Sequence, residues 1–208
     1  MHHFFKDLTP EEKRIFRKLN SPIKIQDFLE TIPANFEDHG KTLYSPRTML
    51  KQQKAHCFEG ALLASSILLF HNHKPLILDL QPRLTSKDDG HALALFKQNG
   101  LWGAISKTNH VSVRYRDPVY KTIRELAMSY FHEYFLNDGI KNLRSYAVLD
   151  LSPIKQNWIT DSENVWYVEK KLAQKQYTSL LPKKKITLRK AERIEIEASK
   201  HTVWKKRY

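Results

Sequence analysis

The sequence predicts an α+β fold in which a central helix packs on a small antiparallel sheet, with further helices on its flanks. Three observations predict this class. The apolar stretch from Cys57 to Phe70 is typical of a buried helix. Short strand-like runs follow within residues 75–106, and Gln98-Asn99-Gly100 is a hairpin signal between two of them. Helical patterns precede and follow these strands instead of alternating with them, which favours α+β over a βαβ order.

Helix-start signals define the elements before Cys57. They are Thr9-Pro10, Ser21-Pro22 and Ser45-Pro46, each a hydroxyl residue at the N-cap followed by proline at the first helical position. Glu12 completes a capping box in the first helix, and Pro33 ends the second. The third signal opens a short helical turn.

The elements after Cys57 follow from residue periodicity and turn signals. The predicted strands cover residues 75–80, 91–97, 101–106 and 146–151. Asp117-Pro118 is predicted to cap a long amphipathic helix that ends near Gly139. Residues 161–174 predict another helix, and residues 186–198 fit either a helix or an edge strand.

Charge is concentrated at the C-terminal end of the 208 residues. The net charge is +13, and residues 183–208 hold ten Lys/Arg and three Glu, so this basic tail carries 10 − 3 = +7. We expect one domain over residues 1–182, with its core at about 45–110, and then the tail. Such a run is usually a solvated face, and contact with nucleic acid or docking of a partner are the alternatives.

Cysteine usage and hydropathy set the expected compartment. Cys57 is the only cysteine, which excludes an internal disulfide and a multi-cysteine zinc site. The N-terminal residues show no signal-peptide pattern, and the longest apolar run, residues 61–70, is too short to cross a bilayer. We therefore expect a soluble cytoplasmic protein without a membrane partner.

Cys57 and His91 are the candidate nucleophile and base. A cysteine at a helix N-terminus has a lowered pKa, because free backbone N–H groups and the helix dipole favour the thiolate. A histidine placed beside the thiolate can serve as its general base. A cysteine on a helix followed by a histidine on a strand therefore predicts a cysteine-nucleophile site. A small buried cysteine and a strand-edge histidine without a catalytic role would produce the same pattern.

Three motifs carry a resemblance to a known family. They are Ala-His-Cys-Phe-Glu-Gly-Ala-Leu-Leu from residue 55, Asp-Asp-Gly-His-Ala-Leu-Ala-Leu-Phe from residue 88, and Gly-Leu-Trp-Gly-Ala-Ile-Ser from residue 100. Together they resemble the transglutaminase-like superfamily of papain-related cysteine enzymes, in a bacterial subgroup, over residues 45–110. The resemblance implies a cysteine at the start of the core helix, a histidine on the next long strand and an aspartate on the following strand.

The third position departs from the family pattern. Fifteen residues after His91 the chain has Ser106 where the family carries aspartate. A serine can accept a hydrogen bond from the imidazole, but it has no charge to stabilise the imidazolium. Asn109 is a rival orienting residue, Asp117 is a weaker one, and a site without a third member is a further alternative.

The remaining site predictions concern the oxyanion hole and the walls of the site. The backbone N–H of Cys57 is one expected donor, and Gln52 or Gln53 could add another or simply be exposed. Glu59 is expected to be structural or pocket-forming, and Trp102 to be a wall of the site or part of the core. His56 is expected to point away from Cys57 on the helix.

The function these features predict is hydrolysis or acyl transfer at a peptide or glutamine-type amide. Cys57 would attack, His91 would move the proton, and Ser106 or Asn109 would orient the imidazole, with no cofactor required. The alternative is a catalytically degenerate member of the same fold that binds or scaffolds a partner, with nucleic acid contacted through residues 183–208.

Overall fold

Seven α-helices surround a six-stranded antiparallel sheet in the part of the chain that the computed structural model describes, residues 3–86, 89–182, 184 and 186–205. The helices are α1 (Pro10–Lys18), α2 (Pro22–Thr31), α3 (Pro46–Gln52), α4 (Cys57–Phe70), α5 (Ile123–Met128), α6 (Trp166–Ala173) and α7 (Arg193–Ser199). The strands are β1 (Leu76–Pro82), β2 (His91–Gln98), β3 (Leu101–Ile105), β4 (Arg116–Tyr120), β5 (Leu143–Asp150) and β6 (Thr178–Ser179). The α+β class predicted from the sequence is confirmed.

The sheet has the order β4-β3-β2-β1-β5-β6, and every neighbouring pair is antiparallel. Between β1 and β2, Asp79 faces Ala92 and Leu80 faces His91. This register brings the start of β2, where His91 lies, beside the middle of β1.

The sheet is buried on both faces because its strands alternate between two hydrophobic clusters. Ile77, Ala92 and Ala94 point into the cluster that contains α4, whereas Leu78 and Leu93 point into the cluster that contains α5. Helix α4 is apolar all round, and its residues 59–69 are buried, so it is a core helix.

Local capping explains the first three helices as predicted. Thr9, Ser21 and Ser45 each accept a backbone N–H from the first turn of their helix, and proline holds the first helical position in each case. Thr9 and Glu12 form the complete capping box.

The long helix predicted after Asp117-Pro118 is wrong. Residues Arg116–Tyr120 form the edge strand β4, and the helix is only Ile123–Met128, capped by Thr122. Pro118 lacks an N–H and is tolerated on an edge strand. The capping box between Thr122 and Glu125 sets the helix start five residues later than predicted.

The C-terminal segment forms a helix, the first of the two alternatives for residues 186–198. After α7 the chain pairs through Thr202 with His110, and the backbone N–H of Val203 donates to the Asn109 carbonyl at 2.9 Å. Of the predicted basic tail, Lys183, Lys185 and residues 206–208 lie outside the described residues.

Among the described residues, every helix lacks the combination of length and apolarity that a bilayer-spanning helix requires.

Candidate active site

Cys57 lies at the first position of α4 and lines a cleft of about 1020 Å³. Its side chain is partly exposed, whereas the rest of α4 is almost entirely buried. The N-terminal position places the thiol beside the free N–H groups of the first helical turn.

The cleft walls come from segments that are distant in the sequence. The lining residues are 34–36, 55–57, 89–91, 107–110, 112–113, 133–138, 199–200 and 202. Two exposed apolar side chains, Phe36 and Leu136, are part of this lining.

His91, the first residue of β2, is 8% exposed, lines the same cleft as Cys57 and helps to lower the pKa of the thiol. The Nε2 atom of the same ring lies 2.9 Å from Ser106 Oγ. The structure therefore brings Cys57 and His91 to one cleft and hydrogen-bonds His91 to Ser106.

The hydrogen bonds of Ser106 fix the tautomer of His91. The Ser106 hydroxyl donates to the Val113 carbonyl at 2.5 Å, so its single proton is already used. Ser106 Oγ must then accept from His91, which places a proton on Nε2. The other ring nitrogen, Nδ1, keeps its lone pair and is free to take the proton of the thiol.

Gln26 on α2 holds Ser106 in place. Its side-chain amide donates to the Ser106 carbonyl and its side-chain oxygen accepts the Ser106 N–H, both at 2.9 Å. All these groups are buried. A helix 80 residues earlier in the chain therefore positions the residue that orients His91.

Lys107 anchors the same segment to the end of α2. Its Nζ donates to the Leu29 carbonyl at 3.1 Å and to the Ile32 carbonyl. Burial lowers the pKa of Lys107 to about 8. A Cβ on Gly60 would lie 2.3 Å from Lys107 Cβ, so only glycine allows α4 to approach this segment so closely.

Two histidines, not one, act on the thiol and lower its pKa. The prediction that His56 points away from Cys57 is wrong, because His56 is the N-cap of α4 and has an extended backbone, so helical spacing does not apply to it. Burial opposes ionisation of Cys57, but hydrogen bonds from His56 and His91 hold the pKa of the thiol well below its ordinary value.

Glu59 is buried beneath the site, where its carboxylate accepts several hydrogen bonds, and it does not line the cleft. Its carboxylate accepts from the backbone N–H groups of Tyr44 and His56, at 3.0 and 2.9 Å. It also accepts from Thr42 Oγ1 at 2.8 Å and from the Asn35 side chain. These bonds fasten the loop before α3 to the first turn of α4.

The other candidate side chains lie away from His91. Asn109 lines the cleft, but its amide donates to the Trp204 carbonyl at 3.0 Å and its side-chain oxygen accepts the Trp204 N–H at 2.7 Å. Gln53 is exposed and donates to the Leu50 carbonyl. Trp102 packs on the α5 face of the sheet under Lys97, and Asp117 is exposed on β4.

Asp79 is a buried carboxylate near the site that the sequence reasoning missed. It is 4% exposed on β1, and its Oδ2 accepts from Tyr177 Oη at 2.6 Å and from Gln81 Nε2 at 2.7 Å. Burial raises the pKa of Asp79, and the charges of Cys57 and His91 act on it. The sequence feature that could have indicated Asp79 is a single carboxylate within the apolar run Leu-Ile-Leu-Asp-Leu.

Within the described chain, no group of three or more His, Cys, Asp or Glu side chains is arranged to hold a metal ion.

No protein-family model matches this sequence, and a search among curated proteins finds no significant match.

Proposed function

We propose that this protein is a cysteine-nucleophile hydrolase or acyl transferase that acts on amides through Cys57 and His91. The observation that carries the proposal is the fixed proton arrangement of the site. Ser106 holds the proton of His91 on Nε2, and the unprotonated nitrogen of that ring is left for the thiol.

The chemistry follows from that arrangement. His91 Nδ1 takes the thiol proton, and the Cys57 thiolate attacks the amide carbonyl to form a C–S bond. His91 then gives the proton to the leaving amine as the C–N bond breaks. Water or a second amine releases the acyl group from the thioester. The backbone N–H of Cys57 and the N-terminus of α4 would stabilise the oxyanion.

We also propose that the chain is related to the transglutaminase-like superfamily. In support, Cys57 begins the core helix α4, and this helix packs on an antiparallel sheet. His91 begins β2, the second strand after that helix. Ser106 occupies the position that the resemblance assigns to aspartate and makes the hydrogen bond to His91.

A covalent-intermediate assay tests the enzymatic function. The wild-type protein is incubated with a glutamine-containing peptide, with and without a primary amine, and the protein mass and peptide products are followed. We expect an acyl adduct on Cys57 and its loss in Cys57→Ala. A folded Cys57→Ala variant, checked by circular dichroism, that still turns over the peptide would overturn the proposal.

A second candidate function is non-catalytic binding by the same fold. The observation that favours it is Ser106, because a neutral hydroxyl stabilises an imidazolium less than a carboxylate does. A Cys57 thiol that reacts like a free cysteine, with no acyl adduct, would favour this candidate over the enzyme.

Nucleic-acid contact through residues 183–208 stays a prediction from charge. Among the described residues of this segment, Lys184, Lys190 and Arg193 are exposed, while Arg189 and Lys200 pair with neighbouring glutamates. Binding of this kind should weaken steeply as salt is raised, because phosphate contacts release counterions.

A further inference from the structure

His56 is a second imidazole beside the thiol. It lines the cleft next to Cys57, and 23% of its side chain is exposed. In the proposed reaction only His91 moves protons and His56 has no role, although its ring lines the cleft beside the thiol and lies 3.5 Å from the buried Glu59 carboxylate.

The contacts of His56 hold one ring nitrogen permanently protonated. Nε2 lies 3.0 Å from the Thr42 carbonyl, which can only accept, so Nε2 carries a proton. Nδ1 then accepts the Phe58 N–H at 3.2 Å and caps the start of α4.

Glu59 supplies a reason for His56 to carry a second proton. Its carboxylate is fully buried, and its hydrogen-bond donors, Asn35, Thr42 and two backbone N–H groups, are all neutral. The ionisable group in contact with it is the His56 ring, with 3.5 Å between Nε2 and Oε1. An opposite charge within about 4–6 Å favours the charged form of an ionisable group, so the Glu59 carboxylate favours protonation of His56.

We propose that His56 is a charged partner of the Cys57 thiolate, fixed by Glu59 and the Thr42 carbonyl, and that His91 alone moves protons. Protonation exchanges the contact of Nδ1 with the Phe58 N–H for an Nδ1–H donated to the sulfur. The His56 proton stays in place during turnover, and the proton lost by the thiol goes to His91 and from there to the leaving group. This division of roles rests on the function proposed above.

The other charges around the thiol are compatible with this assignment. His91 on β2 lowers the pKa of Cys57 together with His56, while the Asp79 carboxyl on β1 interacts with both the thiol and His91. Lys107 packs on α4 at Gly60, but its Nζ is bound to carbonyls of α2. Although burial opposes it, contact with Cys57 and the charge of Glu59 raise the pKa of His56 to about 9.

The test is the pH profile of Cys57 alkylation by iodoacetamide in wild type, His56→Asn and a control. Asparagine is a good N-cap, so this substitution keeps the helix start while removing the charge. The control is His71→Asn at the other end of α4, where the ring contacts the Phe16 carbonyl. We expect the thiol pKa to rise by about 1–3 units in His56→Asn and not in the control, as for loss of a nearby opposite charge.

Two further readouts separate this proposal from the proposed function. Ring ¹⁵N spectra of His56 at pH 7 should show both nitrogens protonated. If the enzyme turns over substrate, His56→Asn should recover activity above its raised thiol pKa, whereas His91→Asn should not. An alkylation profile of His56→Asn that coincides with wild type, or a neutral His56 ring at pH 7, overturns the assignment whether or not any substrate is cleaved.

Discussion

At the scale of single residues, Ser106 fits its position better than a carboxylate would. Its hydroxyl accepts from His91 Nε2 and donates to the Val113 carbonyl, so the oxygen both fixes the imidazole tautomer and satisfies a buried acceptor. A carboxylate has no proton to donate and would face that carbonyl as one acceptor against another. The neighbouring backbone thus gives a physical reason for a serine at this position.

Removing the Ser106 hydroxyl should slow turnover without abolishing it. In Ser106→Ala, His91 loses a neutral hydrogen bond worth about 1 kcal/mol, which corresponds to about a fivefold lower kcat. In Ser106→Asp, the unpaired Val113 carbonyl should reduce the free energy of unfolding by about 1–3 kcal/mol. Steady-state kinetics and urea denaturation measure the two effects. A more active and equally stable Ser106→Asp protein would contradict this account.

Asp79 should make the stability of the fold depend on pH. Its pKa is raised in the folded state, so the folded protein binds a proton where the unfolded chain has already released it. Its contribution is therefore most favourable below the ordinary carboxyl pKa of about 4, and it is lost as the pH rises through the raised value. We expect Asp79→Asn to have a higher Tm than wild type at pH 7, and the difference to vanish near pH 4. A lower Tm at pH 7 would contradict the assignment.

The sequence predicts some of these residues and not others. Cys57 and His91 begin a local helix and a local strand, so the order of these elements is enough to suggest them, whereas Ser106 is suggested by the position that the resemblance assigns to aspartate. Gln26 and Asp79 act through contacts across 80 and 98 residues, which no local pattern encodes. The role of His56 depends on its extended backbone at the N-cap, and helical spacing gives the opposite expectation.

At the scale of elements, α2 positions the site although it does not carry the reacting groups. Through Gln26 it binds both backbone groups of Ser106, and through two carbonyls near its end it binds Lys107. Its start could be predicted from Ser21-Pro22, because capping is local. The start of α5 has a local signal too, the capping box of Thr122 and Glu125, which the choice of Asp117-Pro118 as the cap passed over. The edge strand that precedes this helix has no such signal, because it depends on pairing with β3.

Replacing Gln26 should disturb the site through the strand end that it holds. Gln26→Ala leaves the buried N–H and carbonyl of Ser106 without partners, at a cost of about 1–3 kcal/mol for each group. We expect reduced stability in denaturant and a lower kcat, since Ser106 is then free to leave His91. Gln52→Ala, at an exposed position of α3, is the control and should change neither quantity. Equal behaviour of the two variants would show that α2 has no positioning role.

At the scale of the whole molecule, the C-terminal segment completes the cleft. Ser199, Lys200 and Thr202 line it, and Asn109 holds the chain end through both backbone groups of Trp204. The Asn109 side chain, which the sequence suggested as an alternative partner for His91, thus fastens residues 202–204 to the loop after β3. The charge pattern alone predicts a solvated tail here. The hydrogen bonds between Asn109 and Trp204 join residues that are distant in the sequence, so they have no local sequence signal.

Removal of the Asn109 side chain should loosen the part of the cleft wall that the C-terminal segment forms. In Asn109→Ala the two side-chain hydrogen bonds to Trp204 are absent, and we expect amide hydrogen exchange at Trp204 to speed up about fivefold or more, as for a bond worth about 1 kcal/mol. Asn20→Ala, exposed between α1 and α2, serves as the control. Unchanged exchange in Asn109→Ala would mean that other contacts hold the segment.

The central claim, that Cys57 and His91 form a working thiolate–imidazole pair, is tested most directly by the pH dependence of Cys57 alkylation in wild type and His91→Ala. The chain has a single cysteine, so the signal has one source. The account predicts that wild type reacts well below the free-thiol pKa of about 8.5 and that loss of His91 slows labelling and moves its midpoint upward. Labelling of both proteins with the same midpoint near that of a free thiol would contradict it.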